Sequence, residues 1–257
     1  MELKQRYFIE LAYNGTRFHG WQIQPNAKSV QQTLEYALST ICREPIAVTG
    51  AGRTDTGVHA SYFVAHFDSV KQTLDHSDFT YKLNSFLSAD VVIFGLTKVS
   101  PEAHARFDAV SRTYHYFINQ RKDPFLQETS WYFTRKLDVG KMNEACRLLF
   151  DYEDFTSFSK LHTDVKTNIC HISQVEWTQK GHQLVFTVKA DRFLRNMVRA
   201  IVGTLVEVGQ GKLSVEGFRD IIEAKDRGAA GASAPSEGLF LAEIVYPELV
   251  FQRKSVG

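Results

Sequence analysis

Apolar and polar positions along the chain change period repeatedly, and each change marks an element. Residues 6–12 read as a strand that runs into the turn-rich Tyr13-Asn14-Gly15-Thr16. Ser29 is placed to cap a helix through about Cys42, with Val30, Leu34, Leu38 and Ile41 at helical spacing. Residues 46–50 are β-rich, and in 61–67 Tyr62, Val64 and His66 alternate with Phe63, Ala65 and Phe67. A short helix is expected over 75–87 and a buried strand from Val91 to Val99. Further on, a strand is expected over Thr113 to Asn119 and a helix over Val139 to Phe150, followed by a hairpin of 171–178 and 182–190 that turns near Lys180-Gly181. A long helix from Arg192 to about Val208 and a shorter one over Ser214–Ala224 come next. The segment Arg227 to Ser236, rich in Gly, Ala and Ser, reads as a loop, and Leu239 to Tyr246 closes the series as a strand.

Strands and helices interleave without a sustained βαβαβ rhythm, which favours an α+β fold with mixed, mainly antiparallel sheet over a doubly wound one. Two related halves, 1–103 and 104–257, are expected, with an active-site cleft between them. With 257 residues, 44% of them hydrophobic and 23% charged, the chain is long and apolar enough for a sizeable core and far from a disordered composition. A formal net charge of +1 gives no global field for a polyanion, so any such ligand must be met by a local patch. Cys42, Cys146 and Cys170 are too few and too widely spaced for a disulfide framework or an evident zinc site, and no metal is expected. The first residues, Met1 to Arg6, lack the apolar run of a signal peptide, and the longest apolar stretches, such as Val91 to Leu96, fall short of a membrane span. A cytoplasmic protein without a membrane partner is the expectation.

The chemistry concentrates in Thr49-Gly50-Ala51-Gly52-Arg53-Thr54-Asp55-Thr56-Gly57-Val58-His59-Ala60. Three glycines permit a tight path, and between them stand one Arg and one Asp. Such a segment is compatible with a plain loop whose Asp caps a turn and whose Arg faces water. A dinucleotide loop would need a third Gly where Asp55 stands, a carboxylate that repels pyrophosphate, and a helix afterwards rather than the alternation of 61–67. Asp55-Thr56-Gly57 spells the triplet of aspartic proteases, but there is no second Asp-Thr-Gly or Asp-Ser-Gly, so that reading needs a dimer. Arg53 also opposes proton sharing between two carboxylates. The remaining reading is a lone carboxylate, kept ionised by a guanidinium, that acts as nucleophile or base without cofactor or metal.

Gly50 to Ala60 resembles the signature of the tRNA pseudouridine synthase A family. The resemblance extends along the chain in order: Tyr13-Asn14-Gly15-Thr16, Phe18, Gly20-Trp21-Gln22 and Gln24; then Ser29-Val30-Gln31 and Leu34-Glu35; then His104-Ala105-Arg106-Phe107, Arg112, Tyr114 and Tyr116. Met197-Val198-Arg199, Ile201-Val202-Gly203, Ala234-Pro235 and Gly238-Leu239 complete it. Ser88 and Glu153 depart from the usual Pro and His of the family, both outside the Asp55 loop. The resemblance implies an isomerase that converts uridine to pseudouridine at positions 38–40 of the tRNA anticodon stem-loop, with no cofactor, and it implies a homodimer.

It also implies roles. Asp55 is the catalytic nucleophile and Arg199 its charge partner. Tyr114 is the active-site tyrosine, for which stacking on the extruded base is the simpler task, since a free phenol titrates near ~10. Arg53 is placed to touch the phosphate of the flipped nucleotide, Arg195 to help grip the strand, and Leu239 to pack beneath the base. Within the expected long helix, Arg192, Arg195, Arg199 and Gly203 fall on one stripe and Leu194, Val198, Ile201 and Leu205 on the opposite, core-facing side. Basic residues gather in 103–122 and 188–212, as a locally bound polyanion requires. His59 and the three Trp read as structural. A protein that binds and remodels tRNA without modifying it is the alternative of a different class.

Overall fold

The computed structural model of the protein describes residues 3–160 and 167–251. It is an α+β fold of mainly antiparallel sheet. In order along the chain, the described residues form β1 (Gln5–Tyr13), α1 (Val30–Cys42), β2 (Val48–Gly50), β3 (His59–Ser69), α2 (Ser77–Phe86) and β4 (Val91–Val99). There follow β5 (Ser111–Asn119), β6 (Trp131–Tyr132), α3 (Val139–Leu148), β7 (Ile172–Lys180), β8 (Gln183–Ala190), α4 (Met197–Gly209), α5 (Val215–Ala224) and β9 (Leu239–Val245). The described residues form two compact units, one of residues 3–110 with 241–251 and the other of 111–160 with 167–240. The first unit is therefore discontinuous in sequence. The C-terminal strand is drawn back to it because Val110 N–H donates to the Val245 carbonyl at 2.8 Å, and because Tyr246 packs edge-on to Phe8 and donates its hydroxyl to the Ala105 carbonyl.

In the first unit β1 lies between β3 and β4, antiparallel to both, with Phe8 opposite His66 on one side and Thr97 on the other. β2 pairs with the far half of β3, Thr49 opposite His66. The alternation read in 61–67 is not a one-sided one, since Phe63 to Phe67 are all buried. β3 has covering on both faces, which is why its apolar run is nearly continuous. Helix α1 starts where expected, because Ser29 Oγ accepts from Gln32 N–H at 3.2 Å and so satisfies one of the open donors of the first turn. Val30, Leu34, Ala37 and Leu38 are its buried side, and it ends at Arg43 in a left-handed conformation, φ 57°.

In the second unit β8 lies between β5 and β7, antiparallel to both, and the β7–β8 hairpin turns at Gly181 with φ 62°. The side chain of Asn143 locks α3 to β7: its amide donates to the Trp177 carbonyl at 2.9 Å and its carbonyl accepts from Trp177 N–H at 2.7 Å.

One expectation fails in an instructive way. The helix does not begin at Arg192. Asn196 adopts φ 66°, a left-handed conformation that cannot sit inside a right-handed helix, so α4 starts at Met197. Arg192, Leu194 and Arg195 are thus outside it, and the stripe of arginines does not exist. Nor is α4 amphipathic, since within it only Arg199 and Glu207 are not buried. A helix that is apolar all round belongs to the middle of a core. The side carrying Arg199 and Gly203 is covered by the segment 227–236 rather than by solvent.

Candidate active site

The first unit holds the Asp55 loop by several contacts of its own. Ala51 N–H donates to the Val64 carbonyl at 2.8 Å, extending the β2–β3 ladder by one residue before the chain leaves it. From there the opening segment of the protein holds the loop. Trp21 N–H donates to the Thr54 carbonyl at 3.3 Å, and the Thr54 hydroxyl shares a hydrogen bond of 2.9 Å with Tyr13 Oη. Thr54 is buried by these contacts, so the residue before Asp55 is fixed through both backbone and side chain. After Asp55 the chain turns: Val58 N–H donates to the Asp55 carbonyl at 3.1 Å, with Gly57 at φ 77° in the position where such a turn needs glycine. Gly57 N–H reaches the Phe18 carbonyl at 3.3 Å.

The close approach of these two segments explains two of the glycines. A Cβ on Gly15 would lie 2.0 Å from the Val58 carbonyl oxygen, and one on Gly20, itself at φ 84°, would lie 2.3 Å from that of Thr54. Trp21 lies flat on Phe63, ring centroids 4.1 Å apart, and fills the space over Gly50. His59 is fully buried and accepts Gly15 N–H on Nδ1 at 3.0 Å. Asp55 is left half-buried and Arg53 exposed on a frame of several anchor points. A strand, β3, follows this loop rather than a helix, so no dinucleotide fold is formed here.

The second unit carries the other expected residues. Tyr114 is half-buried on β5, opposite Val188 of β8, with its ring edge-on to Phe193 at 5.0 Å. Tyr116, two residues on and on the same face, is fully buried and donates its hydroxyl to the Pro235 carbonyl at 2.8 Å. Burial pushes the Tyr116 phenol far above its ordinary range, Glu237 adds to this and Arg199 opposes it. The two tyrosines are thereby distinguished: Tyr116 is a packing residue, and Tyr114, about 7 Å along the strand, is the accessible one. Arg199, on the first turn of α4, donates from Nε to the Ala234 carbonyl at 2.7 Å, and Ala234 N–H donates back to the Arg199 carbonyl at 2.9 Å. Leu239 is buried at the start of β9, next to Gly238, where a Cβ would meet the Tyr116 ring at 2.7 Å. Arg195 is exposed in the loop before α4, and Arg112 donates to the Asp191 carbonyl at 2.9 Å.

Within single units, then, Arg53 and Asp55 share one loop, and Tyr114, Arg199 and Leu239 gather around Tyr116 and the segment 230–235. The supporting roles of Tyr13, Gly15, Gly20 and Thr54 were not readable from spacing alone. Their presence in the family resemblance, Tyr13-Asn14-Gly15 and Gly20-Trp21 in the opening motif and Thr54 in the Asp55 loop, is the signal that points to them. Among the described residues no group of His, Cys, Asp and Glu is arranged to hold a metal ion, and no helix is long and apolar enough to cross a membrane.

The sequence matches the tRNA pseudouridine synthase family over residues 11–108 and 145–247, most of both units. Similar proteins include the tRNA pseudouridine synthase A of Parabacteroides distasonis, 57% identical over 96% of this chain and 98% of that one. That of Bacteroides thetaiotaomicron is 58% identical over 98% and 94%, and that of Pseudoalteromonas translucida 39% identical over 95% and 92%. The class is thus an RNA-modifying isomerase. The chain belongs to the tRNA pseudouridine synthase A family.

Proposed function

We propose that this protein isomerises uridine to pseudouridine at positions 38–40 of the tRNA anticodon stem-loop, with Asp55 as nucleophile and without a cofactor. The observation that carries the reading is the frame around Asp55. A half-buried carboxylate is held on a loop whose preceding residue is anchored to Tyr13 and Trp21 and whose following turn is anchored to Phe18. Fixing a reacting group in this way supplies the orientation that the reaction needs and avoids reorganisation when the substrate arrives.

In the reaction the N1–C1′ bond of uridine breaks, the base turns, and a C5–C1′ bond forms. The proton on C5 leaves and N1 gains one, so atoms and electrons balance without an external redox partner. Asp55 attacks in its ionised form and is expelled again as carboxylate before the product leaves, so the bond it makes to the nucleoside forms and breaks within one turnover, and Arg199 is its charge partner. Tyr114, the accessible tyrosine of the pair on β5, stacks on the extruded base, and Leu239 packs beneath it. A stem-embedded uridine must leave its stack at a cost of about a few kcal/mol. Arg53, exposed beside Asp55, and Arg195, exposed before α4, hold backbone phosphates and offset that cost. The enzyme works in the cytoplasm as a homodimer, with tRNA reaching across both copies.

The test uses tRNA tritiated at uracil C5, without added metal. Wild type is expected to release tritium in proportion to pseudouridine formed. Asp55→Asn is expected to lower release by at least about a thousandfold while still binding tRNA. Equal release by Asp55→Asn refutes the nucleophile, and absence of release by wild type refutes the activity.

A further inference from the structure

The segment 227–235 has the composition of a flexible linker, yet it is tied to α4 at successive points along one helix face. At the N-terminus of α4 Asn196 Nδ2 donates to Ser233 Oγ at 2.6 Å. One turn on, Arg199 and Ala234 exchange the two hydrogen bonds described above. A further turn on, Gly203 has no room for any side chain, because a Cβ would sit 1.8 Å from the Ala232 carbonyl oxygen. Beside it Gly231 N–H donates to Thr204 Oγ1 at 3.1 Å, and that hydroxyl donates to the Ala200 carbonyl at 2.8 Å. Tyr116 holds the far end through Pro235.

Arg227 stands inside this strap. Its Nη1 donates to the Gly231 carbonyl at 3.2 Å and lies 3.4 Å from that of Ala230, and its Nη2 donates to Ser233 Oγ at 2.9 Å. Ser233 Oγ thus accepts from both Arg227 and Asn196. One guanidinium curls five residues of small side chains into a fixed shape, and that shape places the Ala234 carbonyl.

The consequence falls on Arg199. A guanidinium meets a carboxylate through one edge, and which edge is used sets its orientation. With Nε donating to Ala234, a carboxylate would be met through the Nη1–Nη2 fork at the end of the side chain. We propose that Arg227 is a positioning residue for the reaction: through Ser233 and the strap carbonyls it fixes Ala234, and Ala234 fixes the direction of the Arg199 fork. This rests on Arg199 acting as the charge partner of Asp55. Arg227 itself touches neither the substrate nor the reacting atoms.

The experiment is a double-mutant cycle on the full-length protein, with kcat and KM for tRNA measured by tritium release. Arg227→Ala is expected to lower kcat by about ten- to a hundredfold, the scale of a displacement near 1 Å, with KM changed less than about twofold. Arg199→Lys has no Nε to place, so in its background the same Arg227→Ala should change kcat by less than about twofold. A lesion that acted only through general folding would multiply in both backgrounds. Multiplicative effects, or wild-type kcat in Arg227→Ala, overturn the positioning role and leave the reading of Arg199 standing. Wild-type kcat in Arg199→Lys overturns both. If Arg227→Ala does not fold, Ser233→Ala decides the matter: it removes the shared acceptor and keeps the cation, and the same pattern is expected at about three- to tenfold.

Discussion

Gly203→Ala and Gly217→Ala make the same chemical change in two helices and are expected to have opposite effects. In the interior of a helix Ala is favoured over Gly by about 1 kcal/mol, because Gly has more backbone freedom to lose. At Gly217, in the first turn of α5, the new methyl would meet the Leu213 Cδ1 at 2.7 Å, the end of a side chain that can turn aside. The propensity gain should survive, and Gly217→Ala should be neutral or stabilised by up to about 1 kcal/mol. At Gly203 the methyl would lie 1.8 Å from the Ala232 carbonyl oxygen, 3.0 Å from its carbonyl carbon and 3.2 Å from Ala234 N, all of them backbone. The strap must lift. Overpacking costs about 1–3 kcal/mol. The two bonds between Arg199 and Ala234 add about 1 kcal/mol each. Set against the propensity gain, the net loss is about 2–4 kcal/mol, or a fall in melting temperature of several degrees for a domain of this size. Thermal and urea unfolding of the two variants beside wild type give the comparison, with tritium release as a second readout that should fall for Gly203→Ala only. A Gly203→Ala protein that melts at or above wild type would refute the close-contact reasoning and with it the rigid strap.

Three further outcomes follow from the structure. His66 is 6% exposed and accepts Ala105 N–H on Nδ1; burial, with Arg6 and His104 nearby, lowers its pKa to about 4, against the opposing pull of Asp68 and Asp108. Because the unfolded imidazole takes a proton near 6.5 and the folded one does not, stability should fall as pH drops from 6.5 towards 4, by roughly 2–3 kcal/mol in urea unfolding; an equal pH dependence in His66→Gln would refute this. All three cysteines are buried, and burial raises Cys42 to about 11 and Cys170 to about 12 and pushes Cys146 higher still, so alkylation at pH 8 should be slow until the protein unfolds. Rapid modification of the native protein by iodoacetamide would show that these thiols are accessible. Asp55→Asn, which keeps the shape of the side chain, should melt within about 1 kcal/mol of wild type, since its loop is held by the Thr54 and Gly57 backbone bonds to Trp21 and Phe18 and by the Tyr13–Thr54 hydrogen bond; a large destabilisation would mark Asp55 as structural.

Local signals in the sequence decided the elements. Period and capping residues placed α1 from Ser29 to Cys42, the β7–β8 hairpin with its glycine turn and β4 from Val91 to Val99, because these depend on side chains within a few residues of one another. The Asp55 loop was legible for the same reason: one acidic and one basic group among three glycines is a local pattern. Tertiary structure alone decided what surrounds those elements. The helix start at Met197 rather than Arg192 follows from the left-handed Asn196, whose amide is held by Ser233, 37 residues away. The role of Gly203 depends on the carbonyl of Ala232, and the placing of Thr54 on Tyr13 and Trp21. Such contacts join residues remote in sequence, and a backbone carbonyl has the same form in every residue, so composition and spacing carry no trace of which one a glycine or an arginine will meet.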